Sequence, residues 1–139
     1  MGQERDDSNL LKKHLVVPTM KKLTPNQLST GLFAWKVVKH TKSNAIVVAK
    51  NNKIISISGG QTSRVDATKI AFEKTKIPKG CVVASDAFFP FKDSIEKMSQ
   101  YKIAAIIQPG GSIRDGEVVE SCNKNKIAMA FTGFRVFKH

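Results

Sequence analysis

At 139 residues, 41% hydrophobic and 24% charged, the chain has the balance of one globular domain, which excludes a disordered or fibrous polypeptide. No apolar run approaches the roughly 20 residues of a membrane span, and Met1 to Leu10 is polar and acidic, unlike a signal peptide, so a cytoplasmic location without a membrane partner is expected. The net charge of +12 points to anionic partners, yet it is mostly lysine spread along the chain, with arginine only at Arg5, Arg64, Arg114 and Arg135; solvated helix faces rather than a nucleic-acid surface are expected.

Residues 1–23 read as a polar, irregular lead-in. Thr24-Pro25 opens a helix, with threonine as cap and proline at the first helical position. Leu28, Leu32 and Trp35 then recur at helical spacing on a wide apolar face. Ala45 to Ala49 is a β-branched strand. Asn51-Asn52 is a hairpin turn, since asparagine tolerates positive φ. Lys53 to Ser58 returns as a second strand, with Ile55 and Ile57 expected on one face. Gly59-Gly60 breaks it, and Thr62 or Ser63 caps a helix reaching about Lys76. Cys81 to Ala84, Ile103 to Ile107 and Ile127 to Phe131 are further strands. Helices fall between them, from Asp93 or Ser94 to about Tyr101, and from a Ser112/Asp115 capping box to about Asn125. After the hairpin, strands and helices alternate, which predicts an α/β layer fold on a largely parallel sheet.

Ligands of such sheets gather at loops beyond the carboxyl ends of the strands. Three unusual loops fall there. Gly59 to Arg64 joins a strand to a helix start, either an anion subsite with Arg64 as its fork or a plain capped turn. Ser85 to Asp93 holds Phe88, Phe89, Pro90 and Phe91. This loop is either a wall against a flat ligand, with Asp86 or Asp93 accepting from ring N–H groups, or partly core. Gln108 to Ser112 lets backbone approach something closely and offers a second helix start to an anion, or is a tight turn with a good cap. Asn44, just before a strand, offers both a donor and an acceptor. His14, His40 and His139 have no metal-ligand spacing, so no metal is expected. Cys81 and Cys122 lack CxxC spacing and read as free thiols.

Several stretches, in order, resemble the C-terminal end of AICAR transformylase, usually fused to IMP cyclohydrolase. They are Phe33-Ala34-Trp35-Lys36-Val37-Val38-Lys39-His40, Lys42-Ser43-Asn44-Ala45-Ile46-Val47, Gly60-Gln61 with Ser63-Arg64-Val65, Ala84 to Phe91, Ile107 to Asp115, and the tail from Phe131 to His139. The resemblance implies a cytidine-deaminase-like three-layer α/β sandwich with a central mixed, largely parallel sheet. Residues 24–139 would form a C-terminal subdomain of the transformylase domain. It implies formyl transfer from 10-formyltetrahydrofolate, as co-substrate, to the 5-amino group of AICAR, in IMP biosynthesis. It also implies a homodimer. By match to the family pattern, Asn44 would lie beside the formyl transfer, Arg64 and Arg135 would meet anionic or polar ligand groups, and Val65, Phe88, Pro90, Phe91 and Asp93 would line the folate and nucleotide pocket. Two departures stand out. Ser56 and Ser58 replace family glycines. The family's catalytic Lys-His pair belongs N-terminal to this chain, so the chain is expected to need a complementing N-terminal half, or else to be a non-catalytic binding module.

Overall fold

The computed structural model of the chain describes residues 15–89 and 92–133. The Thr24 hydroxyl accepts from the Gln27 amide (3.1 Å), and the Gln27 side chain accepts from the Thr24 amide (3.0 Å). This capping box, with Pro25 behind it, starts helix α1 (Pro25–Lys39). α1 buries Thr30, Gly31, Ala34, Trp35 and Val38, one stripe at helical spacing. Leu28 and Leu32 are only half-buried. Small residues face the sheet because the helix lies close: a Cβ on Gly31 would press on the Ile107 side chain, with Cγ1 at 3.2 Å.

Strands β1 (Ile46–Lys50) and β2 (Lys53–Ser58) form the expected hairpin, and Asn51 and Asn52 take the left-handed φ values of 51° and 61° that a two-residue turn needs. The remaining elements are α2 (Arg64–Glu73), β3 (Val82–Ser85), α3 (Lys92–Ser99), β4 (Ala105–Gln108), α4 (Asp115–Lys124) and β5 (Ala128–Phe131). Helix α2 stops at Glu73, short of the expected Lys76, with Lys74 as its C-cap. The sheet order is β2-β1-β3-β4-β5. β1 is antiparallel to β2 and β3, whereas β3, β4 and β5 pair in parallel. The sheet is therefore mixed, with β1 alone reversed.

Alternate residues of each strand serve opposite faces. Val47, Ala49, Ala84, Ile107 and Ala130 pack on α1. Ile46, Val48, Val83, Ile106 and Met129 pack on the other side against α2, α3 and α4. The result is three layers, one helix over one face and three over the other.

One expectation fails locally. Ile55 packs against the three-helix side and Ile57 against the α1 side. Val48 pairs with Ser56 but Ala49 pairs with Ile54, so Ile55 is an extra, bulged residue that reverses the alternation. The bulge turns Ser56 and Ser58 toward α2. Their hydroxyls donate to the carbonyls of Ala71 (2.6 Å) and Ala67 (2.5 Å), which fastens β2 to that helix.

The described part of the lead-in packs on the sheet. Val16 bridges Phe131, and the Thr19 hydroxyl accepts from the Met129 amide at 2.9 Å. β5 is thereby covered at its open edge. Among the described residues no helix is long and apolar enough to cross a membrane.

Candidate functional site

Because β2, β3 and β4 run one way, the loops that follow them leave at one edge of the sheet. β1 runs the other way, so the segment entering it reaches that same edge: Ile46 pairs with Ser58 on one side and Ser85 on the other. Asn44, Arg64 and Asp86 are thus gathered from distant parts of the chain.

Asp86, buried, is the centre of this cluster. One oxygen accepts from the Ser43 hydroxyl (2.5 Å), and the other from the Ala45 amide (3.1 Å) and the Arg64 guanidinium (2.8 Å). Burial alone would raise the Asp86 carboxyl. The Ser43 hydroxyl, the Arg64 charge and the Ala45 amide together hold it below its ordinary value. Burial pulls Arg64 down from its ordinary value while Asp86 opposes that shift; an arginine remains protonated at neutral pH regardless.

Arg64 therefore faces inward. Its guanidinium donates to the Ala45 carbonyl (2.9 Å) and to Asn44 Oδ1 (2.8 Å) as well as to Asp86. Asn44 Nδ2 donates to the Gln61 carbonyl at 3.0 Å. With both ends of its carboxamide engaged, Asn44 has one orientation. Ser43, given no role by the sequence alone, closes the cluster from the exposed side. The Ser63 hydroxyl, not Thr62, caps α2 by accepting from the Asp66 amide (3.0 Å).

Val65 and Asp93 share a groove of about 430 Å³ between α2 and α3, with Phe72 and Tyr101 in its lining at a ring separation of 4.8 Å. Phe88 is half-buried. Phe89 is entirely buried in the core, so the loop is not a wall of three exposed rings. Its amide donates to Gln108 Oε1 (2.9 Å), and Gln108, fully buried, donates in turn to Met129 Sδ (3.2 Å). A glutamine ending an apolar strand was the available signal for this tie. Pro90, Phe91 and Arg135 lie outside the described residues.

The loop after β4 departs from expectation. The Asp115 carboxylate accepts from the Gly111 amide (2.7 Å) and the Ser112 amide (3.2 Å), so the second anion subsite is filled by the chain's own carboxylate. The Ser112 hydroxyl accepts from the Arg114 amide rather than from Asp115, and no side chain caps α4. The close approach made by Gly110 (φ 78°) is to Phe131: a Cβ there would sit 2.9 Å from its ring. Among the described residues, no group of three His, Cys, Asp or Glu side chains is placed to hold a metal ion. Cys81 and Cys122 are free and buried, as expected.

The family model described as AICARFT/IMPCHase bienzyme matches residues 1–74. The chain belongs to that family. Among bienzyme relatives, the bifunctional purine biosynthesis protein PurH of Aquifex aeolicus is 53% identical over 139 residues, covering 97% of this chain and 28% of that protein. PurH of Persephonella marina is 50% identical over 141 residues, covering 99% and 27%. PurH of Petrotoga mobilis is 59% identical over 108 residues, covering 78% and 21%. The chain thus spans about a quarter of the length of these bienzyme relatives.

Proposed function

We propose that the chain is a C-terminal part of the formyl-transfer half of the bienzyme and acts in purine biosynthesis with AICAR and 10-formyltetrahydrofolate. Its fold is read as cytidine-deaminase-like, a reading supported by the 2-1-3-4-5 order with β1 reversed. The observation that carries the function is the Asn44 carboxamide, held by Arg64 and Gln61 at the loop edge of the sheet. When the amine attacks the formyl carbonyl, negative charge develops on the carbonyl oxygen. Asn44 Nδ2 has two protons and the bond to Gln61 uses one, leaving one to donate to that oxygen. Arg64 and Asp86 position this donor in advance. Val65 and Asp93, with Phe88, line the folate and nucleotide pocket.

The amine must also lose a proton as it attacks. Asp86 is an unsuitable base, since Arg64 and Ser43 keep it ionised and occupied. That proton is assigned to the Lys-His pair of a complementing N-terminal part, in a cytoplasmic homodimer. The engagement of Asp86 favours, as second reading, a non-catalytic nucleotide- or folate-binding module.

The test is formyl transfer by the chain alone, and with the remaining N-terminal part of the Aquifex aeolicus relative added. Silence alone and activity on complementation, lost in Asn44→Ala, is the expected result. Activity of the chain alone would place the base within it. Complementation of IMP ring closure instead would assign the chain to the other half of the bienzyme, and ligand binding without turnover would favour the module.

A further inference from the structure

We propose that the sheet edge opposite the candidate site binds the phosphate backbone of single-stranded nucleic acid without reading sequence. The inference is independent of the function proposed above. Read along the chain, the lysines are dispersed; the fold collects them. β1 ends and β2 begins at this edge, and the connections into β3, β4 and β5 arrive at it. Taken in sheet order, each strand presents one lysine there: Lys53, Lys50, Lys79, Lys102 and Lys126. Hydrogen bonds confirm the adjacency. The Lys50 ammonium donates to the Lys79 carbonyl (2.6 Å), the Gly80 amide to the Lys102 carbonyl (2.9 Å), and the Ala128 amide to the Ala104 carbonyl (3.1 Å). Lys50 is half-buried and the other four are exposed.

Neighbouring strands lie about 4.8 Å apart, so the row runs roughly 20 Å. The four connections along it, taken with the element residue on either side, hold eight lysines and one acidic residue, Glu73. Complementing helix dipoles explains Lys74 and Lys124, which stand at the carboxyl ends of α2 and α4. It does not explain Lys50 and Lys53 in a hairpin, or Lys79 well beyond the last turn of α2. Lys102 and Lys126 even hold left-handed φ values of 56° and 58°, where asparagine or glycine would be less strained.

The chemistry selects the partner. A row of point charges along the sheet matches a polyanion that repeats along a line, as one nucleic-acid strand does with one phosphate per nucleotide. The four connections hold no arginine to fork onto base edges. Their one aromatic, Tyr101, is half-buried against Phe72, which leaves no platform for stacking bases. Contacts to phosphate alone position a strand without specifying it. Lysine is also depleted at protein–protein interfaces, which disfavours a protein partner here.

The test is fluorescence anisotropy of a labelled oligothymidylate, long enough to span the row, titrated with the full chain. Five phosphate contacts give a log–log salt slope of about −3.5, or about a 100-fold loss of affinity between 50 and 200 mM salt. Lys53→Gln/Lys79→Gln is expected to reduce the slope to about −2.1. Lys36→Gln/Lys39→Gln, which removes the same charge from α1, is expected to leave it near the wild-type value. Three results would each overturn the proposal: no binding at low salt, an equal effect of the two double variants, or binding to phosphatidylserine vesicles but not to the oligonucleotide.

Discussion

Replacing Asp86 by asparagine should be the most destabilising isosteric change at the loop edge of the sheet. The Asp86 and Arg64 side chains are 2% and 6% exposed, so the substitution strands a guanidinium away from water. Breaking a buried pair by removing one partner costs about 3–5 kcal/mol. In a chain of this size each kcal/mol moves Tm by about 4 °C, so a fall of roughly 12–20 °C is expected at pH 7. Ser43→Ala removes one hydrogen bond on the exposed side and should cost about 1 kcal/mol, or about 4 °C. The pH dependence carries a sign. Asp86 is depressed in the folded state, so its stabilisation is fully present above the unfolded carboxyl value of about 3.9 and is lost as pH falls through the folded value. Calorimetry from pH 7 down to about 3 should therefore bring wild type and Asp86→Asn closer together. The reasoning is refuted if the variant melts within about 4 °C of wild type at pH 7, since the pair would then be worth no more than a surface contact.

Gly31→Ala sets about 1 kcal/mol of helix propensity against about 1–3 kcal/mol of overpacking on Ile107, for a net loss of about 1 kcal/mol that Ile107→Val restores in urea unfolding. Ser56→Gly with Ser58→Gly removes both bonds from β2 to α2 and should cost roughly 3 kcal/mol, read from the denaturant midpoint with the m-value unchanged. Cys122, pushed up to about 12 by burial, should take up iodoacetamide at pH 8 only as the fold opens, which mass spectrometry with and without urea will report. Rapid labelling of the native chain would show that α4 does not seal it.

The parts of the fold that are local were legible. Thr24 ahead of Pro25, and Asn51-Asn52 between two β-branched runs, carry their own backbone logic within a few residues. Pairings across the chain were not. Nothing near Asp86 in sequence announces that Ser43 and Arg64 will meet it, because their meeting depends on β1 running against its neighbours. The bulge at Ile55 was hidden for the opposite reason: an extra residue in a strand leaves the alternation looking regular when read in one dimension. Gln108 could have been noticed, since a fully buried amide needs partners at both ends, and it finds Phe89 and Met129.

The contact between residues 15–19 and β5 has a consequence for assembly on the ribosome. The Thr19–Met129 bond joins positions 110 apart, and Val16 pairs with Phe131. During synthesis the β1–β2 hairpin can close early, from contacts a few residues apart. Residues 15–19 must wait for almost the whole described chain before their partner strand exists. Their docking cannot precede synthesis of β5, and until it occurs that side of the strand lacks the Val16 and Thr19 partners.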